Sequence, residues 1–208
     1  MLLQGLYAIT DNLLTPPECL LDKVEQALLG GVRILQYRDK STDHPKRLRE
    51  ARALKALCAQ HNCTFIINDD INLCLKVDAD GVHLGLTDIT ISAARQQLGP
   101  NSIIGATCHD SIDRAQRAIK QGADYVAFGR FYPSNTKPNA PTAELKKISM
   151  GLALLCVPAV AIGGISLHSA EELLKAGFSM LAVIEDIFKQ DTITEQCQAY
   201  CKLFARYQ

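Results

Sequence analysis

An apolar run leads directly into three polar side chains at residues 65–70, whose sequence is FIINDD. Phenylalanine and isoleucine suit a buried strand, whereas Asn68, Asp69 and Asp70 favour a tight turn at its end. In parallel α/β folds the ligand lies at the carboxyl ends of the strands. Adjacent carboxylates at such a place are costly unless a cation arrives, and Mg²⁺ is the simplest candidate. The alternative is an Asx turn with solvated aspartates.

A second carboxylate, Asp88, follows the next predicted strand within a few residues. One carboxylate from each of two adjacent loops can hold a Mg²⁺ whose remaining positions go to water and phosphate oxygens. We therefore expect Asp69 and Asp88 to form the metal site, with Asn68 facing the substrate. Asp70 is then expected to cap the following helix or to support the site indirectly.

The segment 36–40 (QYRDK) ends another predicted strand and contains two cations. Side chains alternate along a strand, so Gln36, Arg38 and Lys40 point the same way. Two cations on one face at the end of a strand make an anion site. A solvated turn is the alternative.

Two further segments suit phosphate. Gly163 and Gly164 end a predicted strand, in the sequence IGGIS at 162–166. Glycines let backbone N–H groups approach an anion, and the following helix points its N-terminus at it, although a tight turn without a ligand is the alternative. The long loop after the sixth predicted strand contains four consecutive side chains that can donate to phosphate, Ser134, Asn135, Thr136 and Lys137.

Other polar residues have less support for a role in chemistry. Thr107, at the end of the fifth predicted strand, is a candidate hydrogen-bond donor to a ligand. His83 lies within a strand, where a core histidine with satisfied hydrogen bonds is the expected role. His109 lies near the strand ends without an obvious partner, and Tyr7 and Tyr125 are expected to be packing residues.

The elements that must position these residues alternate along the whole chain. Apolar runs predict eight strands, at 6–9, 32–36, 65–67, 81–84, 102–105, 125–128, 158–162 and 180–184. Helical spacing of apolar residues follows each strand, and the sequence TPPE at 15–18 is typical of a capping box at the start of the first helix. Such an alternation predicts parallel strands with right-handed crossovers. We therefore predict that residues 1–208 form one single-domain (β/α)₈ TIM barrel.

An open doubly wound sheet is the competing fold. It would be favoured by a G-x-G-x-x-G motif after the first strand, where the sequence reads TDN at 10–12.

Composition excludes several classes of protein. The net charge of zero provides no bulk attraction to nucleic acid or to a membrane surface, so neither is expected as a partner. The N-terminus does not resemble a signal peptide, and no stretch reaches the length of a membrane span. The eight cysteines are scattered without a C-x-x-C pair, which predicts free thiols in a reducing cytoplasm. The sequence does not determine whether the protein is a monomer or a homo-oligomer.

Taken together, these segments resemble the thiamine-phosphate synthase family, whose members join the pyrimidine and thiazole halves of thiamine. The resemblance covers nearly the whole chain. Its motifs are LYAITD at 6–11, QYRDK at 36–40, INDD at 67–70, HLG at 83–85 followed by Asp88, FGR at 128–130, SNTK at 134–137 and AIGGI at 161–165. It implies a TIM-barrel transferase that uses Mg²⁺. The implied substrates are hydroxymethylpyrimidine diphosphate and a thiazole phosphate, carboxylated in many organisms, and the products are thiamine phosphate and diphosphate.

The resemblance also implies roles for individual residues. The pyrimidine diphosphate would be held by residues of three strand ends and the long loop, namely Gln36, Tyr37, Arg38, Asp39, Lys40, Asn68, Thr107 and Lys137. Mg²⁺ would be bound by Asp69 and Asp88. The thiazole phosphate would be held by Ser134, Asn135, Thr136 and Gly164. Arg38 and Lys137 would be catalytic, because they neutralise the charge that develops on the leaving diphosphate.

Two positions depart from the commonest family pattern. Leu86 stands where many members have glutamine, and Glu185 stands near the position where many members have a serine whose backbone helps to bind the thiazole phosphate. A carboxylate at position 185 should repel phosphate unless it points away.

Two other functions remain open at this point. A thiazole tautomerase-like enzyme shares the fold and the monophosphate site, but it has no use for Asp69, Asp88, Arg38 and Lys40. A non-catalytic barrel that binds a phosphate ligand would bind both substrates without releasing diphosphate.

Overall fold

The computed structural model describes residues 3–133 and 142–207, and within them eight strands alternate with helices. The strands are β1 (Gly5–Ile9), β2 (Ile34–Tyr37), β3 (Thr64–Asn68), β4 (Gly81–Leu84), β5 (Ile103–His109), β6 (Tyr125–Phe128), β7 (Ala159–Ile162) and β8 (Met180–Val183). The helices are α1 (Leu20–Leu29), α2 (His44–Gln60), α3 (Ile71–Val77), α4 (Ile91–Leu98), α5 (Ile112–Lys120), α6 (Leu145–Leu152), α7 (Leu167–Lys175), α8 (Glu185–Phe188) and α9 (Ile193–Phe204).

The strands form a closed barrel in sequence order, in which every neighbouring pair is parallel. Both faces of each strand are covered, one by the barrel interior and one by helices, which explains why the strands are short and almost uniformly apolar. The predicted TIM barrel is therefore confirmed, and the doubly wound sheet is excluded. All strand ends that carry the predicted site residues meet at one mouth.

Side-chain alternation divides the core into two layers. Ile66, Tyr125, Val160 and Met180 belong to a cluster inside the barrel. A larger cluster lies between the barrel and the helices and includes Leu35, among many others.

The predicted capping box at 15–18 is wrong. The Thr15 hydroxyl donates to the Asp11 carbonyl oxygen (2.8 Å) and accepts from the Asp11 N–H (3.1 Å), so it stabilises the loop after β1. Helix α1 begins later, at Leu20, and Cys19 at its N-terminus provides no side-chain cap. The residue types at 15–18 alone do not show that the Thr15 hydroxyl is already hydrogen-bonded to the backbone of Asp11.

Two further differences from the prediction affect the strand ends, while the boundaries of β1, β2, β3, β7 and β8 shift by at most two residues. Strand β5 continues to His109 rather than ending at residue 105, and its pairing with β6 shifts register between Thr107 and His109. The short helix α8 follows β8 directly and carries Glu185 and Asp186 in its first turn. Both changes alter which side chains reach the mouth of the barrel.

All eight cysteines are free thiols, and Cys58, Cys63, Cys74, Cys108 and Cys197 are buried. Free thiols are what their spacing predicts, and the reducing cytoplasm stays a prediction. In residues 3–133 and 142–207, none of the helices is long and apolar enough to cross a membrane.

Candidate active site

A cavity of about 550 Å³ opens at the carboxyl ends of the strands. It is lined by five of the predicted substrate-binding residues, which are Gln36, Arg38, Asn68, Thr107 and Gly164. Residues that the prediction did not place in the site also line it, among them Tyr7, His83, His109, Arg130 and Asp186. The cavity therefore combines an apolar floor with charged groups around its rim.

The deepest part of the site is a row of hydrogen-bonded side chains from five strands. The Gln36 amide Nε2 donates to the Tyr7 hydroxyl (2.7 Å), which lies 2.8 Å from the Tyr125 hydroxyl. The Tyr125 hydroxyl is 3.0 Å from Nδ1 of His83, whose Nε2 is 3.0 Å from the Thr107 hydroxyl. The expectation that His83 has satisfied hydrogen bonds is confirmed. However, His83 and Tyr7 also line the cavity, so neither is only a core residue.

The sequence did not predict this row of hydrogen bonds, because a tyrosine in a strand is usually a packing residue. Only the barrel brings β1, β4 and β6 together across its interior. Burial raises the pKa of the Tyr7 and Tyr125 hydroxyls far above their usual value, so both keep their protons.

The end of β2 presents a cation to the cavity, as the alternation of its side chains predicts. The Arg38 backbone N–H donates to the Thr10 hydroxyl (2.9 Å), which anchors β2 to the end of β1. The Arg38 guanidinium is 4.0 Å from the Asp11 carboxylate. Lys40 contacts Asp69 rather than lining the cavity. The two cations thus lie on neighbouring parts of the rim.

Tyr37 and Asp39 lie outside the cavity lining, so their predicted contact with substrate has no support in this geometry. The Tyr37 hydroxyl donates to Glu50 (2.7 Å). The buried Asp39 carboxylate accepts from Lys46 (2.8 Å), Asn12 (2.8 Å) and the Ser41 N–H (2.7 Å). These contacts hold the loop that carries Arg38 and Lys40.

The same contacts lead to a prediction about stability. Burial acts to raise the pKa of Asp39, but the hydrogen bonds from Lys46, Ser41 and Asn12 outweigh it and lower the pKa below 3.8. We expect Asp39→Asn to lower the free energy of unfolding at pH 7 by about 2 kcal/mol, the value of a hydrogen bond to a charged group. Urea denaturation measures this change.

The pH dependence provides the check. Because the folded-state pKa of Asp39 is lowered, its contribution is present above the unfolded value of 3.8 and is lost as the pH falls below it. The difference between wild type and Asp39→Asn should therefore shrink in acid. The exposed Asp78→Asn, at a position where either residue adopts a left-handed conformation, is the control and should change stability little. An equal loss in both variants would contradict the assignment.

The predicted metal residues form a pair. The Asp69 carboxylate accepts from Lys40 and from the Asn68 side chain (2.7 Å), and it hydrogen-bonds the carboxyl group of Asp88. Burial acts to raise the pKa of Asp69, but Lys40 and Asp88 lower it. Burial raises the pKa of Asp88, and the Asp69 carboxylate raises it further. Two carboxyl groups that face each other repel when both are charged, and a cation between them would relieve that repulsion.

The donor set fits Mg²⁺. Both groups are oxygen donors on the loops after adjacent strands, and Mg²⁺ is commonly held by one or two carboxylates with substrate phosphates. Among the described residues, no group of three or more His, Cys, Asp and Glu side chains could enclose a metal ion. Any ion held by Asp69 and Asp88 would therefore need further oxygens from a ligand or from water.

Asp69 reaches this position through its backbone. It has a left-handed conformation (φ 62°), which aspartate tolerates better than most residues, and its N–H donates to the His83 carbonyl oxygen (2.9 Å). Asp70 caps α3 by accepting from the Leu73 N–H (2.9 Å), and it pairs with Arg47 at 2.9 Å. The prediction that Asp70 is a helix cap is confirmed.

Gly163 and Gly164 follow β7 with positive φ values of 101° and 63°. A Cβ atom on Gly163 would overlap with Arg130, and one on Gly164 would overlap with the Pro133 carbonyl oxygen. The close approach of these backbones requires glycine. Helix α7 begins immediately afterwards with a capping box formed by Ser166 and Ser169. Gly163 and Gly164 line the cavity beside the N-terminus of α7, and their backbone is the part of this turn that suits an anion, because the N–H groups of Ser166 and Leu167 already donate to Ser169 and Asp186.

The Glu185 side chain lines the cavity, and its carboxylate is 3.6 Å from the Lys189 ammonium. Its neighbour Asp186 accepts from the Leu167 N–H (2.9 Å), from Gln196 (2.7 Å) and from Tyr200 (2.6 Å). Both carboxylates at this edge are thus engaged within the protein. Lys189 offsets the repulsion that Glu185 would exert on a phosphate.

The glycine pair leads to a second prediction. We expect Gly164→Ala to raise KM for the phosphate ligand about ten- to a hundredfold, because the displaced backbone loses hydrogen bonds to a charged group. Gly99→Ala is the control, since Gly99 also has a positive φ (79°) but no described atom lies within 4 Å of its Cβ position. Gly99→Ala should lose stability and retain KM. Similar KM values in both variants would show that Gly164 does not hold the phosphate.

Some predicted residues cannot be placed. Ser134, Asn135, Thr136 and Lys137 lie outside the described residues. Leu86 lies on the loop before Asp88 and is exposed, with 53% of its surface accessible.

The geometry can be compared with known proteins. A family model described as thiamine monophosphate synthase matches residues 6–187. The thiamine-phosphate synthase of Saccharophagus degradans is 50% identical over 198 residues, which are 95% of this chain and 90% of that protein. The thiamine-phosphate synthase of Marinobacter nauticus is 47% identical over 205 residues, or 98% and 92% of the two chains.

Solved structures agree with these matches. A thiamine phosphate pyrophosphorylase from Pyrococcus furiosus superposes with a TM-score of 0.89 at 31% identity, covering 98% of this chain and 96% of the other. A 3-hexulose-6-phosphate synthase superposes with a TM-score of 0.69 at 16% identity, and this likeness concerns the fold alone.

Proposed function

The chain belongs to the thiamine monophosphate synthase family, and we propose that it condenses hydroxymethylpyrimidine diphosphate with a thiazole phosphate to give thiamine phosphate and diphosphate. Its activity is that of a transferase, a thiamine-phosphate synthase. The observation that carries the proposed substrates is the pairing of Asp69 with Asp88 and Lys40, together with Arg38 in the lining of the cavity. A phosphate-binding barrel that handles a monophosphate alone has no use for such a group.

The floor and rim of the cavity suit the two halves of the first substrate. Gln36, Asn68 and Thr107 would hold the pyrimidine, while Arg38 in the cavity lining and Lys40, which pairs with Asp69, would contact the diphosphate. Tyr37 and Asp39 would act indirectly, by holding the loop that carries these cations.

The second substrate would bind on the opposite side of the mouth. The backbone of Gly164 and the N-terminus of α7 suit its phosphate. Ser134, Asn135 and Thr136, which come from the loop before α6, would add further hydrogen bonds.

The chemistry requires charge stabilisation rather than a strong base. Asp69 and Asp88 would hold Mg²⁺, which when bound supplies positive charge to the leaving diphosphate. Arg38 and Lys137 would donate charge-assisted hydrogen bonds to the same group, which strengthen as its charge develops. An electron-rich aminopyrimidine can sustain the benzyl-like cation that remains, and the thiazole nitrogen attacks with its own lone pair. The cavity walls contribute by holding the two reacting atoms close together.

Release of inorganic diphosphate tests this proposal. Purified protein is supplied with both substrates and Mg²⁺, and diphosphate is measured by a coupled assay. We expect release that depends on both substrates and stops when Mg²⁺ is chelated. Binding of both substrates without release would favour a non-catalytic barrel instead.

We also propose the partners of the protein and its compartment. The partners are the two small-molecule substrates, without nucleic acid or membrane. We place the protein in the cytoplasm, because a reducing compartment keeps its eight cysteines as free thiols.

A further inference from the structure

The row of side chains on the cavity floor connects two residues that face the ligand from opposite sides. It runs from Gln36 through Tyr7, Tyr125 and His83 to Thr107, with donor–acceptor distances of 2.7, 2.8, 3.0 and 3.0 Å. We propose that this row is a positioning relay, in which Tyr7 and Tyr125 set the tautomer of His83 and thereby make the Thr107 hydroxyl a hydrogen-bond donor to the ligand.

The direction follows from counting protons, starting at Gln36. Its Nε2 can only donate, so the Tyr7 hydroxyl accepts from it and has one proton left to give. That proton goes to the Tyr125 hydroxyl, which in turn donates to Nδ1 of His83. If Nδ1 accepts, the neutral imidazole carries its proton on Nε2. His83 then donates to the Thr107 oxygen, and the proton of Thr107 remains for a ligand.

One end of the relay therefore presents a hydrogen-bond acceptor to the ligand, and the other end presents a donor. Gln36 uses its amide nitrogen for Tyr7, so its carbonyl oxygen is the atom left to accept from a ligand in the cavity. Thr107 presents a donor on the other side. An aminopyrimidine offers the complementary pair, an amino N–H and a ring nitrogen with a lone pair. This match rests on the proposed function, whereas the direction of the relay does not.

Burial explains why the relay needs tyrosine rather than phenylalanine. Tyr7 and Tyr125 are each about 1% exposed, and burying a hydroxyl is costly unless it forms hydrogen bonds. Phenylalanine would fill the same space without that cost. The Tyr125 ring also stacks on His83, with ring centroids 5.5 Å apart and planes 25° apart, which fixes the imidazole orientation.

The tautomer of His83 provides a test that needs no substrate. In the uniformly ¹⁵N-labelled wild-type protein, long-range ¹H–¹⁵N correlation spectra distinguish a protonated from an unprotonated ring nitrogen. The signals of His83 are assigned by their loss in His83→Asn. We expect the proton on Nε2 and an unprotonated Nδ1. A proton on Nδ1 would reverse the relay and overturn the proposal.

A variant links the tautomer to binding. Tyr125→Phe removes the donor to Nδ1 while keeping the ring, so His83 should become a mixture of tautomers. KM for the pyrimidine diphosphate should rise about three- to tenfold, the value of one neutral hydrogen bond. KM for the thiazole phosphate and kcat should stay near the wild-type values, because the interaction is the same in the ground and transition states. Tyr7→Phe breaks the row at another point and should change the same KM if Tyr125→Phe does not fold.

Tyr200→Phe is the matched control. Tyr200 is equally buried and donates to Asp186 (2.6 Å), but it is not part of the row. It should lower stability without changing the His83 tautomer or KM for the pyrimidine diphosphate. The relay is wrong if Tyr125→Phe and Tyr7→Phe both leave the tautomer and this KM unchanged, or if Tyr200→Phe changes them equally. A wild-type protein that releases no diphosphate would contradict the proposed function instead, and the tautomer measurement would still decide the direction of the relay.

Discussion

Asp69→Ala is expected to lower kcat/KM about a hundredfold or more, because it removes one of the two carboxylates proposed to hold Mg²⁺ and leaves Lys40 without its partner. The residual activity should require a higher Mg²⁺ concentration for its half-maximal value. Steady-state rates of diphosphate release, measured over a range of Mg²⁺ concentrations, provide both numbers. Asp88→Ala should shift the Mg²⁺ dependence in the same direction.

The adjacent residue provides the control. Asp70→Ala removes the cap of α3 and the ion pair with Arg47, which should cost about 1 kcal/mol of stability. It should nevertheless keep most of its turnover and its Mg²⁺ dependence, because Asp70 does not contact the carboxylate pair. If Asp69→Ala behaved like Asp70→Ala, the metal site would have to lie elsewhere.

Arg38→Gln is expected to lower kcat about a hundredfold to a thousandfold, the usual loss when one preorganised donor to a developing charge is removed. The Arg38 side chain lines the cavity and is only 18% exposed, so water can replace the lost charge only poorly. Single-turnover rates at saturating substrate measure the effect on the chemical step. Lys137→Ala should behave similarly, as its place in the family motif implies.

Arg33→Gln is the matched control, since Arg33 directly precedes β2 at the opposite end of the barrel and is exposed. It changes the net charge by the same amount without touching the cavity, and we expect wild-type rates. A comparable loss in both variants would indicate a general effect of charge. In that case the proposed role of Arg38 in stabilising the diphosphate would be rejected.

Much of the fold was predictable from local patterns. The boundaries of β4 and β6 agree with those predicted, because short apolar runs between turn-forming residues determine strands locally. The first helix shows the limit of such patterns. The hydroxyl of Thr15 is engaged by Asp11, so α1 starts at Leu20 instead.

The candidate site was predictable where alternation along a strand decides which way a side chain points. Gln36 and Arg38 line the cavity for that reason. The same alternation points Tyr37 and Asp39 away from the cavity, although both belong to the family motif QYRDK at 36–40. Family motifs therefore identify the segment, and strand geometry decides which of its residues can contact a ligand.

By itself, the sequence determined the barrel, the family and the identity of the polar residues at the strand ends, because periodicity and motifs are properties of neighbouring residues. The sequence also predicted that Asp69 lies beside Asp88, but only the tertiary structure decided that Lys40 pairs with Asp69, whose position requires a left-handed backbone and the pairing of β3 with β4. The tertiary structure alone also joined Tyr7, Tyr125 and His83 into one row, since hydrogen bonds between residues up to 118 positions apart depend on where the closed barrel places their strands.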